Sequence, residues 1–265
     1  MKKQISYQNQ QVNYQIEGKG MVLVLLHGFM EDLEMWSHHS EALSSQYQVL
    51  SIDLPGHGKT GIWSEHHGMG FMASIVGHIL DLEKIDRCVM IGHSMGGYVT
   101  LAFAEKYPER LYGFGLFHSH AMADSEEAKK DRDRVIEIIR QQKAGFIHQF
   151  IPSLFAEDNR PLFEKEIDQL IKSANQMNPE GIIAAISGMK ERSMRLDVVA
   201  FSEVPVLFIL GKQDSRIAID HALAQASTAK WAQISVLGNS GHMGWLEDRQ
   251  KTIAAIKGFI IFCQG

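Results

Sequence analysis

The chain has 265 residues, the length of one large α/β domain with room for an insertion. Hydrophobic residues make up 45% of it, enough for a sizeable core, and the formal net charge of −5 removes any electrostatic case for nucleic acid or an anionic membrane. The first residues carry two lysines but no apolar run of the kind a signal peptide needs. The longest apolar stretch, around residues 21–26, is far too short to span a bilayer, so a cytoplasmic protein is expected.

Residues 4–8 and 12–16 alternate polar and apolar positions around Asn9-Gln10, the pattern of an antiparallel hairpin with one wet face. The pattern then changes. Residues 22–26, 49–52, 88–91, 111–117 and 206–210 are short continuous apolar runs, as expected of strands buried on both faces, and residues 231–237 form a weaker last strand. Helical periodicity falls between them, at 33–44, 74–82 and 98–107, and a terminal helix begins near Trp245. Such alternation predicts an α/β fold with a mostly parallel sheet covered on both faces. From 121 to 199 no strand is readable. A charged run at 125–134 turns into the apolar run 135–139, and helices are expected at 144–149, 162–175 and 179–192. The division that follows is a core domain of residues 1–120 and 200–265, interrupted by a helical insertion at 121–199. Cys88 and Cys263 fit no paired metal or redox spacing and are expected as buried free thiols.

Two signals fail on context. Gly56-His57-Gly58-Lys59-Thr60-Gly61 has the spacing of a dinucleotide turn, but a loop-like stretch with two more glycines follows where a helix would have to open. The same stretch lacks the first glycine of a phosphate-binding loop, because Asp53 stands in its place. The histidine pairs His38-His39 and His66-His67 diverge on any regular element, and His118-x-His120 has no third ligand near it in sequence. No metal site is expected.

Gly92-His93-Ser94-Met95-Gly96 stands between a predicted buried strand and a predicted helix. A serine at such a turn needs small neighbours, and the helix start aims free N–H groups and its dipole at the site. A serine nucleophile makes three further demands: a base for its proton, a carboxylate to orient that base, and two N–H donors for the oxyanion. His242, in a glycine-flanked loop after the last strand, is the expected base. Asp214, just past the strand at 206–210, is the expected acid, with Asp124 and Asp220 as rivals. The oxyanion donors are expected from Met95 and, in the loop His27-Gly28-Phe29-Met30, from Phe29, with His27 holding that loop.

The order Ser94, Asp214, His242, together with His27-Gly28-Phe29, Asp53-Leu-Pro-Gly-His-Gly58, Gly92 to Gly97 and Gly241-His242, closely resembles the α/β-hydrolase superfamily. Within it the chain is similar to the small carboxylesterase and enol-lactonase group. Pimeloyl-carrier-protein methyl esterases and carbon–carbon bond hydrolases are relatives. The resemblance implies that the insertion is a helical cap over Ser94. It also implies acyl transfer from a small ester, lactone or thioester to water through an acyl-enzyme, with no cofactor. Ser94 stands against the epoxide hydrolases and dehalogenases, which attack with an aspartate there. Met243 stands against carbon–carbon hydrolysis, where an aromatic residue usually follows the histidine. Perhydrolysis on the same triad stays open, and a ligand receptor on this fold is the non-enzyme alternative, weakened by the complete triad.

Substrate contacts are expected from Met30, His93, His118, Met243 and Trp245. Phe146, Phe150, Phe155, Met177, Met189 and Met194 are read mainly as cap core, with an apolar acyl pocket as the alternative. Arg192 and Arg195 are read mainly as solvated or salt-bridged, with a substrate carboxylate as the alternative partner. The chain is expected to act on a small molecule as a monomer or homodimer.

Overall fold

A computed structural model describes residues 1–264; residue 265, the last of the expected core segment, lies outside the described residues. The strands are β1 (Lys2–Tyr7), β2 (Gln10–Glu17), β3 (Val22–Leu26), β4 (Gln48–Ile52), β5 (Cys88–His93), β6 (Leu111–Phe117), β7 (Val206–Gly211) and β8 (Ala232–Leu237). They form one sheet in the order β1-β2-β4-β3-β5-β6-β7-β8. Pairing is antiparallel at β1–β2 and β2–β4 and parallel from β4 to β8. The continuous apolar runs have the expected cause: every residue of β3, β5 and β7 is buried, whereas the edge strand β8 alternates. The N-terminal turn falls one residue earlier than its polarity suggested. Tyr7 pairs with Gln10, and Gln8 and Asn9 both take positive φ, 46° and 65°, the conformation that a two-residue hairpin turn requires.

The helices are α1 (Ser37–Leu43), α2 (Met69–Leu82), α3 (Met95–Lys106), α4 (Glu126–Phe150), α5 (Glu164–Gln176), α6 (Pro179–Lys190), α7 (Leu196–Ala200), α8 (Ile219–Ala226), α9 (Gly244–Glu247) and α10 (Arg249–Phe262), with a 3₁₀ turn at Leu33–Trp36 ahead of α1. Helix α2 starts at Met69 rather than near residue 74, its first turn burying Met69 and Met72 despite the glycine at Gly70. Helix α4 runs back from residue 144 to Glu126, with a break at Gln142 (φ −146°, ψ 52°). Its N-cap is Ser125, whose side chain accepts from the Ala128 N–H. No helix of the described residues is long and apolar enough to cross a membrane.

Helices α4 to α7 all lie between β6 and β7, and α6 docks its backbone closely on the rest of the chain. Its small residues let backbones touch. A Cβ on Gly181 would stand 2.5 Å from the Gly56 carbonyl oxygen, and one on Gly188 would stand 1.8 Å from the His67 oxygen. The His67 N–H donates to the Ala184 carbonyl at 2.9 Å. The glycines that mimic a dinucleotide turn thus serve packing. Gly56 meets α6, and Gly58 (φ 53°) leaves room for the Asp53 carboxylate, where its Cβ would come within 2.2 Å. Asp53 in turn accepts from the Leu33 and Lys59 N–H groups and from Asn13 Nδ2 at 2.7–2.8 Å. Cys88 is buried and Cys263 half-buried; both are free, and burial pushes each thiol up to about 12.

Two predictions follow from this packing. Gly188→Ala forces backbone apart and should lower Tm by roughly 3–10 °C, whereas Gly70→Ala, with nothing within 4 Å, should raise it by about 1–3 °C in a thermal melt. Equal shifts would contradict the close docking of α6. The second concerns pH. Burial lowers His39 and His57 to about 3, and His67, His118 and His120 to about 4. Between those values and the ordinary 6.5, the unfolded chain binds protons that the folded chain refuses, so stability falls as pH falls from 6.5 toward 4. Among the shifted histidines only His93, where Glu31 outweighs burial, opposes this. The urea midpoint should be clearly lower at pH 5 than at pH 7.5, and an equal midpoint would contradict the neutral burial of these rings.

Candidate active site

Strand β5 delivers Ser94 into a conformation that side chains rarely adopt, φ 49° and ψ −112°, and α3 begins at the next residue. Three hydrogen bonds clamp the turn. The Ser94 N–H donates to the Phe117 carbonyl at 2.9 Å, and the Ser94 carbonyl accepts from the Gly97 N–H at 2.9 Å and from Ser119 Oγ at 2.8 Å. The flanking glycines are a steric necessity: a Cβ on Gly92 would lie 2.1 Å from the Gly96 carbonyl, and one on Gly96 would lie 2.5 Å from the Leu26 carbonyl oxygen. The Met95 N–H opens α3, where first-turn donors have no partner within the helix.

Asp214 and His242 reach the same sheet end from the loops after β7 and β8. The His242 Nδ1–H donates to Asp214 Oδ2 at 2.9 Å and Oδ1 at 3.1 Å. Asp214 Oδ1 also accepts from the N–H groups of Arg216 and Ile217 at 2.7 and 3.0 Å, which fixes the carboxylate plane. A third partner is His118, whose Nδ1–H donates to Oδ2 at 2.9 Å. Burial alone would raise Asp214, but the His242 charge and hydrogen bonds from both histidines outweigh it and hold the carboxyl far below its usual range. His118 itself stays neutral, since burial lowers it to about 4 against the pull of Asp214. His118, Asp214 and His242 offer ligand atoms within 4.8 Å of one another, the two imidazoles being bonded to one carboxylate.

The loop after β3 is built around His27, fully buried. Its Nδ1–H donates to the Gly28 carbonyl at 2.7 Å, and Nε2 accepts from the Leu54 N–H at 2.8 Å. The Gly28 N–H donates to Glu31 Oε2 at 2.7 Å, and Met30 takes φ 60° to close the turn. Phe29 is thereby carried to the wall of a cavity of about 770 Å³ that Ser94 and His242 also line. Among the described residues no hydrogen bond joins the side chains of Ser94 and His242, a looseness common in unliganded sites.

The insertion supplies much of that wall, through Val135, Phe146, Phe150, Ile186 and Met189, with Phe146 stacked on Phe150 at 5.2 Å. Phe155 and Met177 are buried in packing, and Met194 is exposed. Of the expected substrate contacts, His93 reaches the wall. Met30, His118, Met243 and Trp245 do not line this cavity. The Met30 and Met243 side chains are packed in the core, His118 is turned onto Asp214, and Trp245 donates its indole N–H to Glu31 at 3.1 Å.

Arg192 lines the cavity but is spent: it pairs with Asp124 at 2.6 Å, donates to the Met189 and Met122 carbonyls, and lies 4.1 Å over the Tyr98 ring. Asp124, held between Arg132 and Arg192, is no partner for an imidazole, and Asp220 is exposed on α8. Arg195 pairs with Glu105 at 2.9 Å, away from the cavity. Sequence reasoning missed Glu31 and the His118 bond to Asp214. The only signal for Glu31 was an acidic residue three positions after Gly28, and Asp32 and Glu34 beside it give the sequence no way to single it out.

Comparison with known proteins agrees with this fold. A thermophilic esterase from Thermogutta terrifontis, solved with malate bound, superposes with a TM-score of 0.93 at 30% identity over 100% of both chains. The enol-lactonase from Burkholderia xenovorans LB400 superposes at 0.90 over 98% of this chain and 100% of its own, and at 20% identity it speaks for the fold alone. The pimeloyl-[acyl-carrier protein] methyl ester esterase of Vibrio parahaemolyticus is 25% identical over 254 residues, 94% of this chain and 97% of that protein. Two further curated relatives are longer proteins, of which the chain spans 65% and 64%. Residues 21–248 match the alpha/beta hydrolase fold family, and the chain belongs to it.

Proposed function

We propose that this α/β hydrolase is a serine esterase that cleaves a small carboxylic ester through an acyl-enzyme on Ser94. One observation carries the reading: the serine held at the strained turn shares a cavity with His242, whose Nδ1 is committed to Asp214. That commitment leaves His242 Nε2 as the nitrogen able to take a proton. In the first half-reaction Ser94 Oγ attacks the ester carbonyl carbon while Nε2 takes the hydroxyl proton. The N–H groups of Phe29 and Met95 receive the negative oxygen, each of them worth about 3–4 kcal/mol by analogy with other oxyanion holes. The tetrahedral adduct collapses, the C–O bond to the alcohol breaks, and the proton passes from His242 to the leaving oxygen. Water then repeats the sequence with His242 as base, and the acid leaves.

Asp214, ionised and buried, orients His242 and offsets its charge in both halves. No step needs a cofactor. Residues 121–199 act as the cap, and their aromatic wall at Phe146 and Phe150, continued by Phe29 packed edge-on against Phe150, suits a small apolar acyl or alcohol group. The Thermogutta and Vibrio relatives, both esterases, support the ester as the bond cleaved.

Ser94→Ala should cut turnover of p-nitrophenyl acetate by roughly 10⁴–10⁶-fold with Tm unchanged, and Asp214→Asn should lower kcat by about 10³–10⁴-fold. Turnover in Ser94→Ala within tenfold of the unmodified protein would sink the assignment.

A further inference from the structure

Beneath the serine turn lies a second pair of ionisable residues that the reaction scheme does not use. Glu31 and His93 have side chains only 3% and 2% exposed, and His93 Nδ1 stands 2.8 Å from Glu31 Oε2. The other ring nitrogen, Nε2, stands 2.9 Å from the carbonyl oxygen of His242. Both nitrogens therefore face oxygen acceptors, and a neutral imidazole has only one N–H to give. The Glu31 carboxylate meanwhile accepts from the Gly28 N–H at 2.7 Å and from the Trp245 indole at 3.1 Å. The proton between Nδ1 and Oε2 could sit on either atom, but the two further N–H donors, from Gly28 and Trp245, stabilise the charged carboxylate. That puts the proton on His93 and the negative charge on Glu31.

We propose that Glu31 and His93 are positioning residues, an internal ion pair that fixes the Phe29 amide and the His242 loop against the Ser94 turn. The inference rests on the esterase reading above. The geometry names what is tied to what. Through Gly28, Glu31 holds the residue before Phe29; through Trp245, it holds the helix that starts after His242 and Met243. His93, next to Ser94 in the chain, grips the backbone of His242 itself. One carboxylate and one imidazolium therefore join the three loops that must agree in position for acyl transfer, where misplacement by an ångström costs about 100-fold. Stability alone is a poor reason for such a pair, since apolar residues of equal volume often do as well or better.

The charged groups around the pair favour the same state. The rings of His242 and His118 lie 5.0 and 5.9 Å from that of His93, with Asp214 behind them, and His27 stands on the Glu31 side. Burial would lower His93, but Glu31 outweighs it and raises the imidazole above its ordinary value. Burial would likewise raise Glu31, but His93 outweighs it and lowers the carboxyl. The pair is thus intact at neutral pH. It is lost as pH rises through the raised His93 value, or falls through the lowered Glu31 value.

The test reads charge and catalysis separately on the full chain. In ¹⁵N-histidine-labelled protein at pH 8, the His93 signal, identified by its loss in His93→Gln, should show both ring nitrogens protonated, whereas an ordinary histidine is neutral there. One bare nitrogen would overturn the ion pair. In Glu31→Gln that signal should become neutral, and kcat for p-nitrophenyl acetate should fall 10- to 100-fold with KM within twofold. A kcat within twofold of the unmodified protein would overturn the positioning role. If Glu31→Gln does not fold, the double variant Glu31→Gln/His93→Gln, which buries no charge, is held to the same kinetic criterion. An unmodified protein with no esterase turnover would contradict the esterase reading instead, and the His93 resonances would still decide the pair.

Discussion

The left-handed backbone at Ser94 is the constraint on which the rest of this structure depends. A positive φ at a residue with a side chain is tolerated only where the surroundings over-determine it. Here the surroundings are β6, through the Phe117 carbonyl and Ser119, and the first turn of α3. Gly92 and Gly96 are empty of side chains because backbone from α3 and β3 occupies that space. The strain places a hydroxyl where the strands end and a helix N-terminus begins, which is where donors for a developing anion are available without further cost.

The remaining groups arrive at that point because a parallel sheet sends its loops to one end. Three strand ends contribute: β3 leads to His27 and Phe29, β7 to Asp214 and β8 to His242. Each loop is then locked by a buried polar group with a defined partner. His27 bridges Gly28 and Leu54, Asp214 gathers two imidazoles and two backbone N–H groups, and Asp53 organises the loop on which α6 rests. The contacts of Gly56 with Gly181 and of His67 with Gly188 hold α6 against these loops, and residues of the insertion line the same cavity as Ser94.

Much of this was legible in the sequence because the signals were local. The doubly buried strands announce themselves as apolar runs; Ser94 follows β5 directly and Asp214 lies just past β7, while His242 comes after the weaker edge strand β8. What was not legible depends on residues that meet only in the fold. Glu31 and His93 are 62 positions apart and His118 and Asp214 are 96 apart. Nothing in composition or spacing links either pair. His118 and Trp245, expected at the substrate, are instead drawn beneath the wall by Asp214 and Glu31, and Met243 by apolar packing. Arg192 was ambiguous for a related reason: whether it is free or spent depends on whether Asp124, which also pairs with Arg132, reaches it, and no local pattern reveals that.

The most direct measurement is covalent. A fluorophosphonate reacts with a serine hydroxyl only when a base removes its proton and an oxyanion hole receives the phosphoryl oxygen, so it reports the assembled site irrespective of the natural substrate. Incubation of the full chain with such a probe, followed by intact-mass analysis and peptide sequencing, should give one adduct, on Ser94, and none in His242→Ala. An unlabelled chain, or an adduct on another serine, would contradict the account.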